Sequence, residues 1–363
     1  MGEQSLSSHS DSTGPTAATQ VTVVIPTYNR SADVLRALRS LACQSAGMPH
    51  VIVVDNSSTD DTATQVQAQL PLWSGKLRYV CRAPNGPSSA RNTGLAMTST
   101  PYVLFHDSDI ELPAHWIEVA LARMLAEPGL GAVGGMILYA FDETRVNAYG
   151  GDLGRFGLAW DINEGKTLTP GWEPAYRIWI NCSAMLAEAE AVRRAQGFDE
   201  RFFYGYEDSD LGWRLNLIGR PVLVLPTLQA RHHVDADPGI AHDEIVFHYC
   251  KNRLRSILKN AAGVHLALML AAYGCYTAAD LVLGQRRRAK FNALGWNVRH
   301  LGETWALRQA VQAQRKISDS AVLGIGSLAW FPPSRLAGRR RRPASEGIVG
   351  MARGAPSKAD DRI

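Results

Sequence analysis

The sequence predicts an α/β protein organised on a doubly wound sheet, and three runs point to it. Val21-Thr22-Val23-Val24-Ile25 is β-branched and is stopped by Pro26. Val51-Ile52-Val53-Val54 is apolar and ends at Asp55, and Tyr102-Val103-Leu104-Phe105 runs into Asp107-Ser108-Asp109. Unbroken apolar runs of this length suit strands covered on both faces, as parallel strands are.

Taken in order, the first strand is followed by Val34, Leu35, Leu38, Leu41 and Ala42 at helical spacing, with Ser31 as N-cap and Asp33 in the first turn. The second strand then completes a βαβ unit. A helix after Thr59, a strand near 77–81, a helix over 88–97, the strand 102–106 and a helix opened by Pro113 continue the alternation. The loops 26–30, 55–60 and 85–92 all follow strands, so they are expected to converge on one crevice at the carboxyl edge of the sheet. Residues 134–205 are rich in Gly and aromatics without a clean period. Flat aromatic faces suit sugar rings, and ordinary packing accounts for any single one equally well.

Four regions are expected: a disordered leader over 1–20, an α/β domain over 21–250, a helical extension over 251–330 and a disordered basic tail over 331–363. The leader is rich in Ser, Thr and Gly and has no apolar core of a signal peptide. Five cysteines without a CxxC pair indicate neither a disulfide framework nor a zinc site and fit a reducing cytoplasm. Charge is uneven: residues 285–363 hold 16 Lys and Arg against 5 Asp and Glu, whereas residues 1–284 hold 22 against 29. The long apolar stretch within 261–283 has basic flanks on both sides, which favours lying on the anionic inner face of the cell membrane over crossing it. No nucleic-acid-binding module accompanies the Arg339-Arg340-Arg341-Arg342 run, so no nucleic-acid partner is expected.

Candidate chemistry centres on Asp107 and Asp109. Residues two apart on an extended segment point the same way, so both carboxylates can face one hard cation, Mg²⁺ or Mn²⁺, with substrate phosphates completing its shell. Asp-x-Asp also occurs at Asp208/Asp210 and Asp235/Asp237, so the setting at a strand end singles out the first copy. Glu207, Asp208 and Asp210 place three carboxylates within four residues at a helix start, more than capping needs. Asp210 is expected to pin Arg214, its i+4 neighbour. Arg231-His232-His233 follows a short strand at 222–225. A lone histidine would be core or surface, but a pair beside a metal site offers a ligand.

The ordered runs Val23–Arg30, Val54–Asp60, Gly86–Asn92, Asp107-Ser108-Asp109 and Gly197-Phe198-Asp199-Glu200 followed by Tyr206–Asp210 resemble the signature of family 2 glycosyltransferases over about residues 20–260. The resemblance implies a GT-A fold, a Rossmann-like nucleotide half merged with an acceptor half. It also implies inverting transfer from a nucleotide-diphosphate sugar to a glycan or lipid-linked acceptor, and the C-terminal helices are similar to those of rhamnosyltransferase-like bacterial members. By that resemblance Asp55 contacts base or ribose, with Pro26, Thr27, Asn29 and Arg30 lining the same pocket. Arg91 lies near the nucleotide, Asp107 near ribose or metal, and Asp109 on the metal, with His232 or His233 completing the site. Asp208 is the general base, with Glu207 second. Two rivals are a sugar-nucleotide pyrophosphorylase, whose Gly-rich triphosphate loop the 26–29 segment lacks, and a non-catalytic carbohydrate- or nucleic-acid-binding protein, which has no use for these carboxylates together.

Overall fold

The structure, a computed structural model, describes residues 17–234, 241–284 and 286–330. The expected basic tail and most of the expected leader lie outside the described residues, as do Asp235 and Asp237.

β1 (Val21–Thr27) is buried along its whole length because it has parallel partners on both sides, β2 (His50–Asp55) and β4 (Tyr102–His106), with Val23 level with Val51 and with Leu104. This double coverage explains its near-continuous apolar sequence. Between these strands run α1 (Ser31–Ala42), α2 (Thr62–Gln69), β3 (Leu77–Cys81) and α3 (Gly86–Met97). Gly94 lets α3 lie close on β1, since a Cβ there would meet Val24 Cγ1 at 2.2 Å. Ser31 opens α1 itself, and Arg30 takes the cap position.

After β4 the chain makes a short β5 (Ile110–Glu111) and α4 (Trp116–Ala126), which starts three residues beyond the Pro113 expected to open it. β6 (Ala132–Tyr139) corrects the sequence reading of a loose region from Gly134 onward: all but its last residue are buried. Its two glycines hide the strand from a pattern search, yet Gly135 is required by packing, because a Cβ would sit 1.8 Å from Leu228 O. An excursion follows through β7 (Asp142–Ala148), β8 (Gly151–Leu153), β9 (Ala159–Asp161) and β10 (Ala175–Arg177). The chain then returns as β11 (Ala184–Glu188), antiparallel between β4 and β6. After α5 (Ala189–Arg194) and α6 (Glu207–Leu217), β12 (Val222–His232) closes a ten-stranded mixed sheet ordered β10-β12-β6-β11-β4-β1-β2-β3, with β5 on β12 and β7 on β6. β12 extends seven residues past the expected 222–225 by way of a bulge between Leu225 and Gln229. That length carries His232 to a position level with Ile110 of β5.

The described residues belong to one unit, completed by α7 (His242–Asn260), α8 (Gly263–Leu283), α9 (Arg287–Arg299), α10 (Leu301–Gln314) and α11 (Asp319–Leu323). A buried ionic network fastens α7 to α6. Lys259 Nζ lies 2.8 Å from Asp199 and 2.9 Å from Asp210, Arg255 Nε lies 2.7 Å from Asp199, and Arg214 Nη2 lies 2.7 Å from Asp210. Burial alone would push both carboxyls up; Lys259 and Arg255 hold Asp199, and Arg214 and Lys259 hold Asp210, below the ordinary carboxylate range. Removing one partner of such a network leaves a buried charge uncompensated. Lys259→Met is therefore expected to cost roughly 3–5 kcal/mol of unfolding free energy in urea titration. The wild type is expected to lose stability as pH falls below about 4, because carboxylates with depressed folded-state pKa stabilise only above their unfolded value.

Candidate active site

The ends of β1 and β4, the start of α3 and the start of α6 surround a cleft of about 560 Å³. Pro26, Thr27, Arg30, Arg91, Asp107, Asp109 and Glu207 all line it. Thr27 Oγ1 is buried there without a hydrogen bond among the described residues. Asn29, at φ 51°, accepts from Thr59 N at 2.7 Å and so ties the 26–30 and 55–60 loops together.

Asp55 is placed differently from its expected ligand contact. It is fully buried, and both oxygens are engaged: Oδ1 accepts from Ser58 N at 2.8 Å and Ser58 Oγ at 2.6 Å, Oδ2 from the Tyr79 hydroxyl. Asp55 therefore shapes the loop, and its neighbour Asn56 is the residue that lines the cleft.

Arg91 is the hub. Its side chain, 4 % exposed, rises from α3 over the Phe198 ring, with Nη2 2.6 Å from Asp107 Oδ1 and Nη1 3.9 Å from Glu207 Oε1. Asp107 is fixed a second time through its backbone N–H, which donates to Ser183 O at the entry to β11. On the far side, Glu207 and Asp208 open α6 immediately after Gly205 and Tyr206, both in the left-handed region at φ 73° and 71°. For tyrosine that conformation costs on the order of 1–3 kcal/mol, the kind of strain held at functional sites. The turn swings the two carboxylates toward Arg91.

Their proton affinities follow from this placement. Burial and the neighbouring Asp208 charge push Glu207 up to about 7, with Arg91 opposing. Burial pushes Asp208 up to about 6, against the pull of Arg91 and of the Cys182 thiol. Asp208 Oδ1 and Glu207 Oε2 are buried without hydrogen-bond partners among the described residues, so each has an acceptor to offer a ligand. Asp210, by contrast, is consumed by Arg214, Lys259, Ser256 and Asn260.

The donor set on the other wall suits a hard divalent ion, since Mg²⁺ and Mn²⁺ select oxygen ligands and both Asp107 and Asp109 reach the cleft. His232 Nε2 stands 3.4 Å from Asp109 Oδ1, and its Nδ1 is held 2.9 Å from Asn147 Oδ1. Successive side chains on a strand face opposite ways, so His233 turns away and pairs with Glu111 at 3.2 Å. Of the two imidazoles only that of His232 meets the Asp109 carboxylate; His233 reaches Asp109 through its backbone, its N–H donating to Asp109 O at 2.9 Å. Among the described residues no three His, Cys, Asp or Glu side chains form a ready-made cage. An ion here would draw its remaining ligands from phosphate and water. Sequence reasoning missed Cys182, Asn147, Tyr79 and Ser58, none of which carries a spacing signal.

The sequence model of glycosyl transferase family 2 matches residues 22–172. The pre-mycofactocin glycosyltransferase of Mycobacterium tuberculosis (strain ATCC 25618 / H37Rv) is 31% identical over 215 residues, 58% of this chain and 42% of that protein, so the chain spans less than half the length of that relative. The N-acetylglucosaminyl-diphospho-decaprenol L-rhamnosyltransferase of the same organism is 26% identical over 236 residues, 58% of this chain and 75% of that protein. Among solved structures, GalNAc-T7 with UDP, GalNAc and Mn²⁺ superposes with a TM-score of 0.55 at 15% identity, over 66% of this chain and 48% of that one. S. aureus TarS does so with 0.51 at 18%, over 84% and 54%. These likenesses show a GT-A fold.

Without the Arg91 charge, Glu207 and Asp208 would face each other and the nearby Asp107 uncompensated and bind protons more tightly. A carboxyl with a raised folded-state pKa stabilises below its unfolded value and loses that contribution as pH climbs through the folded value. Arg91→Met is expected to lose on the order of 3–5 kcal/mol near pH 8 and measurably less near pH 5 in denaturant titration; equal losses would mean that Arg91 acts by packing on Phe198.

Proposed function

We propose, since residues 22–172 match the model of glycosyl transferase family 2, that the protein transfers a sugar from a nucleotide-diphosphate donor to a hydroxyl of a glycan or lipid-linked acceptor, with inversion at the anomeric carbon. The observation that carries this is the buried guanidinium of Arg91 standing between Asp107 on the donor wall and Glu207 and Asp208 on the acceptor wall.

Asp107, Asp109 and His232 would hold a Mg²⁺ or Mn²⁺ ion, whose charge offsets the negative charge that develops on the leaving diphosphate. Thr27, Asn56 and Arg30 line the nucleotide end of the cleft. Asp208 accepts the proton of the attacking acceptor hydroxyl on its carboxylate, a role worth about 10²–10⁴-fold in rate. Glu207, held higher by burial and by Asp208, stays partly protonated near neutrality and so leaves the base role to its neighbour. One base on the face opposite the leaving group suffices for inversion, as in inverting hydrolases. The protein acts from the cytoplasm at the inner face of the membrane, where its apolar and basic C-terminal helices meet the lipid. A pyrophosphorylase finds no support in a cleft whose 26–30 loop offers a proline and a strained asparagine where triphosphate binding needs consecutive free amides.

The test is a panel of UDP-, dTDP- and GDP-sugars with Mn²⁺ or Mg²⁺, scored for nucleoside diphosphate release. Release from one donor, abolished by EDTA and reduced at least about 10²-fold by Asp109→Ala, is expected; release untouched by EDTA would remove the metal assignment. Because the base must be deprotonated, kcat/KM is expected to rise with pH through a limb near 6, and a flat profile between about pH 5 and 8 would contradict Asp208 in that role.

A further inference from the structure

α8 (Gly263–Leu283) is apolar on both the face it packs inward and the face it turns outward. Its inward face packs Met269 and Tyr273, with Leu266 and Leu270, into the helical core, and its two ionisable side chains are held there by partners: His265 lies 2.9 Å from Ser320 Oγ, and Asp280 is paired with Lys290 of α9. Its outward face is apolar as well. Val264, Leu268, Ala271, Cys275, Ala278 and Val282 recur at i, i+4, i+7, i+11, i+14 and i+18, one stripe of an α-helix, and all are exposed. No charged side chain interrupts that stripe among the exposed positions. A water-facing helix carries polar residues on its outer face, so the stripe is built for an apolar neighbour.

The surroundings say which neighbour. At 21 residues the helix is about 31 Å long and apolar enough to cross a bilayer. It cannot do so as folded, because α7 and α9 cover its other side and the Asp280 and His265 contacts would have to be pulled into hydrocarbon. Its C-terminal end leads directly into exposed Arg286, Arg287 and Arg288, and Phe291 projects 65 % exposed just beyond. An apolar stripe bordered by arginines and an aromatic matches the acyl–headgroup boundary of an anionic leaflet. We infer that the outward face of α8, with the arginines at its end, seats the protein in the plane of an anionic lipid surface. This deepens the membrane-surface part of the function proposed above by assigning it to one helix face.

The test is co-sedimentation of the full-length protein with phosphatidylcholine vesicles, with and without about 30 % phosphatidylglycerol, at about 0.1 M salt. Partitioning is expected onto the anionic vesicles, weakened by raising salt. The doubly substituted Leu268→Glu/Val282→Glu protein, changed at positions 52 % and 67 % exposed and checked for an unaltered melting temperature, is expected to partition at least about tenfold less. Equal partitioning of this variant would overturn the inference and assign binding to another part of the chain, such as the basic tail. So would light scattering that shows a dimer of the wild type and a monomer of the variant, since a second copy would then cover the stripe. Vesicle binding uses neither donor nor acceptor, so its failure would leave sugar transfer untouched, and failed transfer would leave vesicle binding untouched.

Discussion

Four carboxylates gather around one cleft, and the buried charge of Arg91 is what lets three of them share it. Two unit charges about 4 Å apart interact by about 4 kcal/mol even at an effective dielectric constant near 20, so without Arg91 the charge of Asp107 would push Glu207 and Asp208 to hold their protons still more tightly. Arg91 meets all three from one side. It draws Asp208 only part of the way down, leaving a base poised near 6, and keeps Asp107 available at the donor wall. The Phe198 ring beneath it supplies a flat apolar seat that fixes the guanidinium plane.

Much of the remaining architecture serves to hold that arrangement. β11 runs antiparallel to β4, which brings Ser183 to the backbone of Asp107 and Cys182 against Asp208. The long β12, kinked past Gly135, delivers His232 to Asp109. Below α6, the Asp199–Asp210–Lys259–Arg255 network clamps the helical extension to the base of the site. The helix that carries the candidate base is thus anchored by ions at its core side and free at its cleft side.

How far the sequence discloses this depends on whether a feature is local. Acids at strand ends and helix starts are local signals, so Asp107 and Asp109 stand out after an apolar run and Glu207 and Asp208 at the start of a helical pattern, and Asp210 reaching Arg214 follows from helical spacing. Asp55 shows the limit: its position at the end of β2 is legible, whereas the Ser58 and Tyr79 groups that occupy its oxygens are not. β6 escapes a pattern search because its glycines answer to distant residues, Gly134 to Ile180 and Gly135 to Leu228. The choice between His232 and His233 depends on the register of β12 after its bulge, which no spacing rule supplies. For α8 the sequence gives length and basic flanks; which face is outward depends on its packing against α7 and α9.

The most direct measurement compares donor binding and transfer in Asp208→Asn, which keeps the shape of the side chain and removes only the proton acceptor. Donor affinity by calorimetry is expected to stay within about threefold of the wild type, while sugar transfer falls by about 10²–10⁴-fold at saturating donor. Transfer that persists near the wild-type rate would contradict Asp208 as the base and, with it, the division of the cleft into a donor wall and an acceptor wall on either side of Arg91.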